Sequence, residues 1–245
     1  DLIFLAGEAP GLFYGYVTQG IVQKEDITEN GIKYIKQDGS VGYYQTVNKT
    51  TPVAGDVKYV DRNGDGVVDD NDRDIIGNPN PDFTYGFQTK VSWKSLSLSA
   101  SFNGVQGRDI LNVGNRYNNT PGTKSNNVTR KAFQNMWTDE NPSNLYPKST
   151  FVVQNMVMDR YVEDGSYLRC SDITLSYVLP AKWTNKIGIK NTSVYASVKN
   201  AFVITDYSGY DPEVNSFAFD GLRPGVDMNS YPTPRSFVFG LNLTF

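Results

Sequence analysis

The sequence predicts an all-β protein built from antiparallel strands, and three observations carry that expectation. Five segments alternate apolar and polar residues with a period of two. The connections between these segments come in two sharply different lengths. Aromatic residues make up 13% of the 245 residues, and Gly, Asn, Ser and Thr are abundant, which favours strands joined by turns over helices.

The same composition removes whole classes of chemistry. Histidine is absent, which excludes Ser-His-Asp and Cys-His triads, histidine bases and zinc sites built on histidine. Cys170 is the single cysteine, so neither a disulfide framework nor a thiolate metal cluster can form. A net charge of −3 without a basic stripe argues against a nucleic-acid partner. No apolar run is long enough for a spanning helix, but a membrane barrel would show only alternation.

Residues 1–82 carry no strong alternation and read as a loop region. Within it, "DRNGDGVVDDND" (61–72) follows the rhythm of a calcium loop, with ligands at positions 1, 3, 5, 7, 9 and 12 and glycine at 6. That template assigns Asp61, Asn63, Asp65, the carbonyl of Val67, Asp69 and Asp72 as ligands, with Gly66 at the sharp turn. Four carboxylates so close repel one another unless a cation intervenes. Asp72 departs from the helix-flanked form of the loop, which carries a bidentate Glu there, and resembles the dockerin variant. The alternative is a solvated acidic turn.

Strand signals fill much of residues 83–245. In "FTYGFQTKVSW" Phe83, Tyr85, Phe87, Val91 and Trp93 share one face, with Thr84, Gln88, Lys90 and Ser92 on the other. In "LSLSASFNG" Leu96, Leu98, Ala100 and Phe102 alternate with Ser97, Ser99, Ser101 and Asn103. Only "KS" separates these two runs, so they form a tight hairpin. The third run sets Ile173, Leu175 and Tyr177 against Asp172, Thr174 and Ser176. The fourth sets Val194, Ala196, Val198 and Phe202 against Ser193, Ser197 and Lys199, with Tyr195 as an exception on the polar side. The fifth places Phe237, Phe239, Leu241, Leu243 and Phe245 opposite Ser236, Gly240, Asn242 and Thr244, so the chain ends on an aromatic.

The connections then discriminate between architectures. The first two runs are joined by two residues, and the third and fourth by "PAKWTNKIGIKN", which has room for a short helix. The other two connections are far longer than ordinary loops. Short turns at one end, long loops at the other and nearly uncharged polar faces are what a transmembrane β-barrel requires. A water-soluble sandwich is the competing architecture and would also alternate.

Several segments carry a resemblance to a known family. "FYGYVTQGI" (13–21), the acidic loop, "GNPNPDFTYGF" (77–87), "DGSYLRCSDITLSY" (164–177), "YSGYDPEV" (207–214) and "YPTPRSFVFGLNLTF" (231–245) resemble the C-terminal part of SusC/RagA-type TonB-dependent transporters. The resemblance implies that 83–245 are the last strands of an outer-membrane barrel of about 22 strands. It also implies a plug and further barrel strands in the same transporter, energy supplied through TonB, and a SusD-like surface lipoprotein as lid. Such transporters import oligosaccharides or peptides without altering them, so no enzyme activity is expected. Five strands cannot close a barrel, so this chain is expected to be the C-terminal piece of a larger protein of a Gram-negative outer membrane.

Aromatic residues in the connections have two readings. Phe13, Tyr14, Tyr16, Tyr207, Tyr210 and Phe217 could contact substrate or lid, or pack the loops internally. Trp137 is expected to anchor a long loop. Outside the transporter reading, the sequence also fits a soluble calcium-dependent glycan-binding β-protein. No pair of carboxylates placed for glycoside hydrolysis can be identified.

Overall fold

The computed structural model describes residues 2–120, 127–149, 156–184, 189 and 191–244. They form two compact units. One is drawn from 81–108, 164–213 and 230–245, and the other from 1–80, 109–163 and 214–229.

The first unit is a single five-stranded antiparallel sheet in sequence order. Its strands are β1 (Phe83–Trp93), β2 (Leu96–Gln106), β3 (Tyr167–Val178), β4 (Asn191–Thr205) and β5 (Ser236–Thr244). Each contains one of the five alternating segments; β3 extends that segment at its start, and the aromatic expected at Phe245 lies outside the described residues. Register runs without a break from Phe83↔Gln106 to Trp93↔Leu96, closed by the Lys94–Ser95 turn. Lys94 adopts φ 54°, the left-handed conformation that a two-residue hairpin demands. The short connection between β3 and β4 does contain a helical turn, Ala181–Thr184.

The apolar face of this sheet stays open. Every residue of β1 is exposed, and Val91, Trp93, Phe237 and Phe239 each keep about two-thirds or more of their surface. Phe87 and Phe102 stack across the β1–β2 pair with centroids 4.5 Å apart. Such a face over five strands far exceeds the apolar patch a water-soluble monomer normally leaves uncovered.

Two local devices shape the sheet. Tyr195, the exception to the alternation, lies directly across from Gly240, where a Cβ would come within 2.2 Å of its ring. The glycine vacates the space that the tyrosine ring covers, and Tyr85 covers Gly104 across β1–β2 in the same way. The second device is a bulge. Register slips between Cys170 and Asp172, leaving Ser171 out of the ladder, and on β4 Asn200 takes φ 51° opposite the slip.

The other unit is assembled from strands of two to five residues. Arg73–Gly77 and Leu2–Ile3 flank Leu12–Tyr16, and Gly31–Ile35 lies between Ile27–Thr28 and Val41–Tyr44. Thr18–Ile21 pairs with Val57–Tyr59, and Thr46–Val47 runs parallel to Val67–Val68. Their side chains converge on a core of Phe13, Ile21, Val22, Tyr34, Tyr44, Tyr59, Val68, Met158 and Trp137. Tyrosines dominate that core because their polar ends find partners. The Tyr34 hydroxyl donates to the Asp61 carbonyl (2.7 Å), and the Tyr44 hydroxyl accepts from the Tyr59 N–H (3.1 Å). Trp137 anchors its segment, its indole N–H donating to Gln23 Oε1 at 3.0 Å.

Candidate functional site

The loop 61–72 is held by its own backbone amides. Asp61 is buried, and its two oxygens accept from Gly64 N–H (2.7 Å) and Gly66 N–H (2.8 Å). Both glycines need positive φ, +77° and +85°, to turn their amides inward. Asp72 is fully buried and accepts from the Arg62 and Asn63 amides through Oδ1 and from the Asp69 amide through Oδ2. Asn63 Oδ1 accepts from Asp65 N–H, Asp65 Oδ1 from Val67 N–H, and Asp69 Oδ1 from Asn71 N–H. The result is a chain of Asx turns closed by a capping box over the 3₁₀ turn Asp70–Asp72.

The loop is tethered to its unit at three points. Tyr34 holds the Asp61 carbonyl, the Gln45 amide donates to the Gly66 carbonyl (2.7 Å), and the Tyr16 hydroxyl donates to Asp70 (3.1 Å). Arg73 pairs with Asp70, and Arg62 with Asp74 at 2.7 Å. Burial pushes the Asp61 carboxyl above the usual range; the Gly66 and Gly64 amides oppose that rise, and the Asp72 and Asp65 charges add to it. Asp70 is held below its usual range by the Tyr16 hydroxyl and by Arg73.

For a hard cation the donor chemistry fits: Asp61, Asn63, Asp65, Asp69 and Asp72 are all oxygen donors on one tight loop. Convergence is partial. Among the described residues no three acidic, cysteine or histidine side chains share a point that could hold a metal. Asp61 and Asp72 are buried, whereas Asn63 and Asp65 lie in solvent and bond to each other at 2.9 Å.

The aromatic candidates separate by exposure. Phe13, Tyr16 and Tyr207 are buried, and Tyr14 is half-buried. Tyr210 is three-quarters exposed. Phe217 is half-buried on a cavity of about 630 Å³ that Phe4, Leu111, Tyr117, Leu222 and Met228 also line.

Sequence reasoning missed one cluster in the sheet unit. Arg169 of β3 is buried and pairs with Asp211 and with Glu213 (Nε to Oε2, 3.3 Å). Asp211 also accepts from the Thr233 amide (3.1 Å) and the Glu213 amide (3.0 Å), and Glu213 accepts from the Tyr167 hydroxyl (2.7 Å) and Asn103 Nδ2 (3.0 Å). Segments 207–214 and 231–235 are thereby fastened to β3. The available signal was the single basic residue of β3, Arg169, followed 42 residues later by "DPE".

Comparison with known proteins places this architecture. No family model matches the chain. It is 35% identical over 201 residues to TonB-dependent receptor P26 of Formosa agariphila, an alignment covering 79% of this chain and 20% of the relative. It is 33% identical over 248 residues to TonB-dependent receptor P3 of the same organism, covering 99% of this chain and 23% of the relative. It is 34% identical over 194 residues to TonB-dependent receptor SusC of Bacteroides thetaiotaomicron, covering 76% and 17%. In structure it superposes on a chain of the RagAB peptide importer in its open-open state with a TM-score of 0.64 and 26% identity, covering 96% of this chain and 22% of that one. The chain thus spans about a sixth to a quarter of the curated relatives it matches. Sequence and fold agree that it belongs to the TonB-dependent receptors of the SusC/RagA type.

Proposed function

We propose that this chain is part of an outer-membrane transporter that imports oligosaccharides or peptides with a SusD-like surface lipoprotein as lid. The observation that carries the reading is the open apolar face of the five-stranded sheet. An 11-residue strand such as β1 is roughly 34 Å long, and a tilt of about 40° brings its apolar stretch to the roughly 25 Å of a barrel's lipid-facing band. Phe83 and Tyr85 stand near one edge of that band, Trp93 and Tyr177 near the other, as aromatic girdles do. The opposite face carries Gln88, Ser99, Ser101, Thr174 and Ser197, suited to a water-filled or plugged lumen. β1 and β5 each pair with one neighbour, so the rest of the transporter supplies the strands that close the barrel. TonB supplies the energy through that remaining part.

The test is the full-length protein carrying this chain. It should fractionate with outer membranes, require detergent for extraction, and run as a compact species on SDS gels until heated. Recovery as a folded, detergent-independent protein would instead favour the soluble glycan-binding alternative.

Loop 61–72 is proposed to take up calcium through Asp61, Asn63, Asp65, the Val67 carbonyl, Asp69 and Asp72. Burial raises the Asp61 pKa and the Asp72 and Asp65 charges add to the rise; a bound cation would offset that cost of holding the carboxylate ionised. Its role would be to staple the surface unit. Calcium at a hundredfold its Kd should stabilise the unit by about 2.7 kcal/mol, read as a chelator-reversible rise in melting temperature that Asp61→Asn abolishes. An unchanged melting temperature on adding chelator would leave the amides alone holding the loop.

A further inference from the structure

The two ends of the five-stranded sheet differ in charge. Of the acidic residues in its unit, Asp82, Asp164, Asp206, Asp211 and Glu213 stand at the end with long connections, and Asp172 lies within β3. The end with short connections has none: no acidic residue occurs between Asp82 and Asp109, between Asp172 and Asp206, or after Asp227.

That end instead gathers lysine and indole. Lys94 turns the β1–β2 hairpin, and its Nζ lies 4.8 Å from the centroid of the Trp93 ring. The Ser95 carbonyl accepts from the Val178 N–H at 2.8 Å, which joins the hairpin to the end of β3. Three residues later the turn Ala181–Thr184 begins, carrying Lys182 and Trp183, both exposed. Trp93 and Trp183 leave 69% and 66% of their surfaces open. Among the described residues no carboxylate pairs with Lys94 or Lys182.

We infer that this rim docks an anionic glycerophospholipid, its phosphodiester held by Lys94 and Lys182 and its glycerol and acyl region lying against Trp93 and Trp183. The inference rests on the membrane reading of the sheet. Indoles at the margin of an apolar band sit where acyl chain gives way to headgroup, with the ring apolar and the N–H toward water. The Lys94 ammonium, fixed over an indole face, keeps N–H donors for phosphate oxygens. Charge selects the lipid: a zwitterionic headgroup brings its own ammonium, whereas an anionic one leaves a net charge for two lysines with no nearby carboxylate to neutralise.

The experiment uses the full-length transporter in mixed micelles with phosphatidylglycerol or phosphatidylcholine, and counts retained lipids by native mass spectrometry. Phosphatidylglycerol should be retained preferentially. The double variant K94Q/K182Q should lose about 30-fold of that preference, while K94R/K182R keeps most of it. Equal retention of the two lipids, an unchanged preference in K94Q/K182Q, or displacement of the lipid by millimolar inorganic phosphate would overturn the proposal. Heat-modifiable migration of each variant shows separately whether the barrel has assembled. If the unmodified protein lacks it, the membrane reading fails together with the lipid site; if it is present without lipid selectivity, only the lipid site fails.

Discussion

At the scale of single residues, two buried carboxylates respond to acid in opposite directions. Asp61 has a raised pKa, caused chiefly by burial, so its ionised form opposes folding at neutral pH. Protonation as pH falls through that raised value removes the penalty, and the cation-free loop should gain stability in mild acid. Asp211 is held low: burial works against ionisation, but the Thr233 side chain, the Glu213 and Thr233 amides and Arg169 outweigh it. Its contribution is complete above the unfolded value of about 3.9 and is lost as pH falls through the depressed folded value. Hydrogen exchange on the full-length protein in chelator should therefore show 62–72 gaining protection as the pH is lowered from neutral toward the raised Asp61 value, with 207–214 opening only in stronger acid. Removing Asp72 is more severe, since Asp72→Ala leaves three amides without an acceptor. A cost of about 1–3 kcal/mol is expected, seen as proteolytic nicking within 62–71. Truncating Arg169 to Ala strands Asp211 in a buried position and should cost about 3–5 kcal/mol, measured as loss of folded transporter in membranes.

At the scale of elements, the strands were legible and their fastenings were not. A period of two over nine to fifteen residues is a local signal, strong enough to place all five strands and the Lys94–Ser95 turn. The second unit uses strands of two to five residues, too short for any period to emerge, and its pairings link segments far apart in sequence. The calcium-type rhythm of 61–72 was visible, but the turning of its carboxylates toward backbone amides depends on the φ of Gly64 and Gly66, which spacing does not report. Of the aromatics in 13–16, Phe13 and Tyr16 are core residues because Leu12–Tyr16 is the middle strand of a small sheet, which no alternation revealed. Tyr195 is the informative anomaly: a tyrosine on the polar face marks a glycine opposite. Gly240→Ala should force that ring aside and cost about 1–3 kcal/mol, lowering the temperature at which the heat-modifiable form is lost. The double variant Gly240→Ala with Tyr195→Ser should recover most of it.

At the scale of the whole molecule, the proposed barrel puts one face of the sheet against lipid and the other toward the lumen, so the same charge should have unequal effects on the two. Ile173→Arg places a guanidinium on the apolar face near mid-strand, opposite Ala100, and should cost about 2–4 kcal/mol. Gln88→Arg, on the polar face of the same sheet, should be tolerated. Comparing the yield of assembled full-length protein for the two variants checks the assignment of faces, and equal yields would contradict it.

The order of the sheet carries one last consequence. Each strand returns beside the strand that preceded it, and both long connections leave and re-enter at the same end. The segments 109–163 and 214–229 can therefore change in length without shifting the register of any pair among β1–β5, provided Leu111, Trp137, Met158 and Val226 keep their places in the core of the other unit. A lineage of such proteins could diversify the exposed parts of those connections while inheriting one unaltered wall.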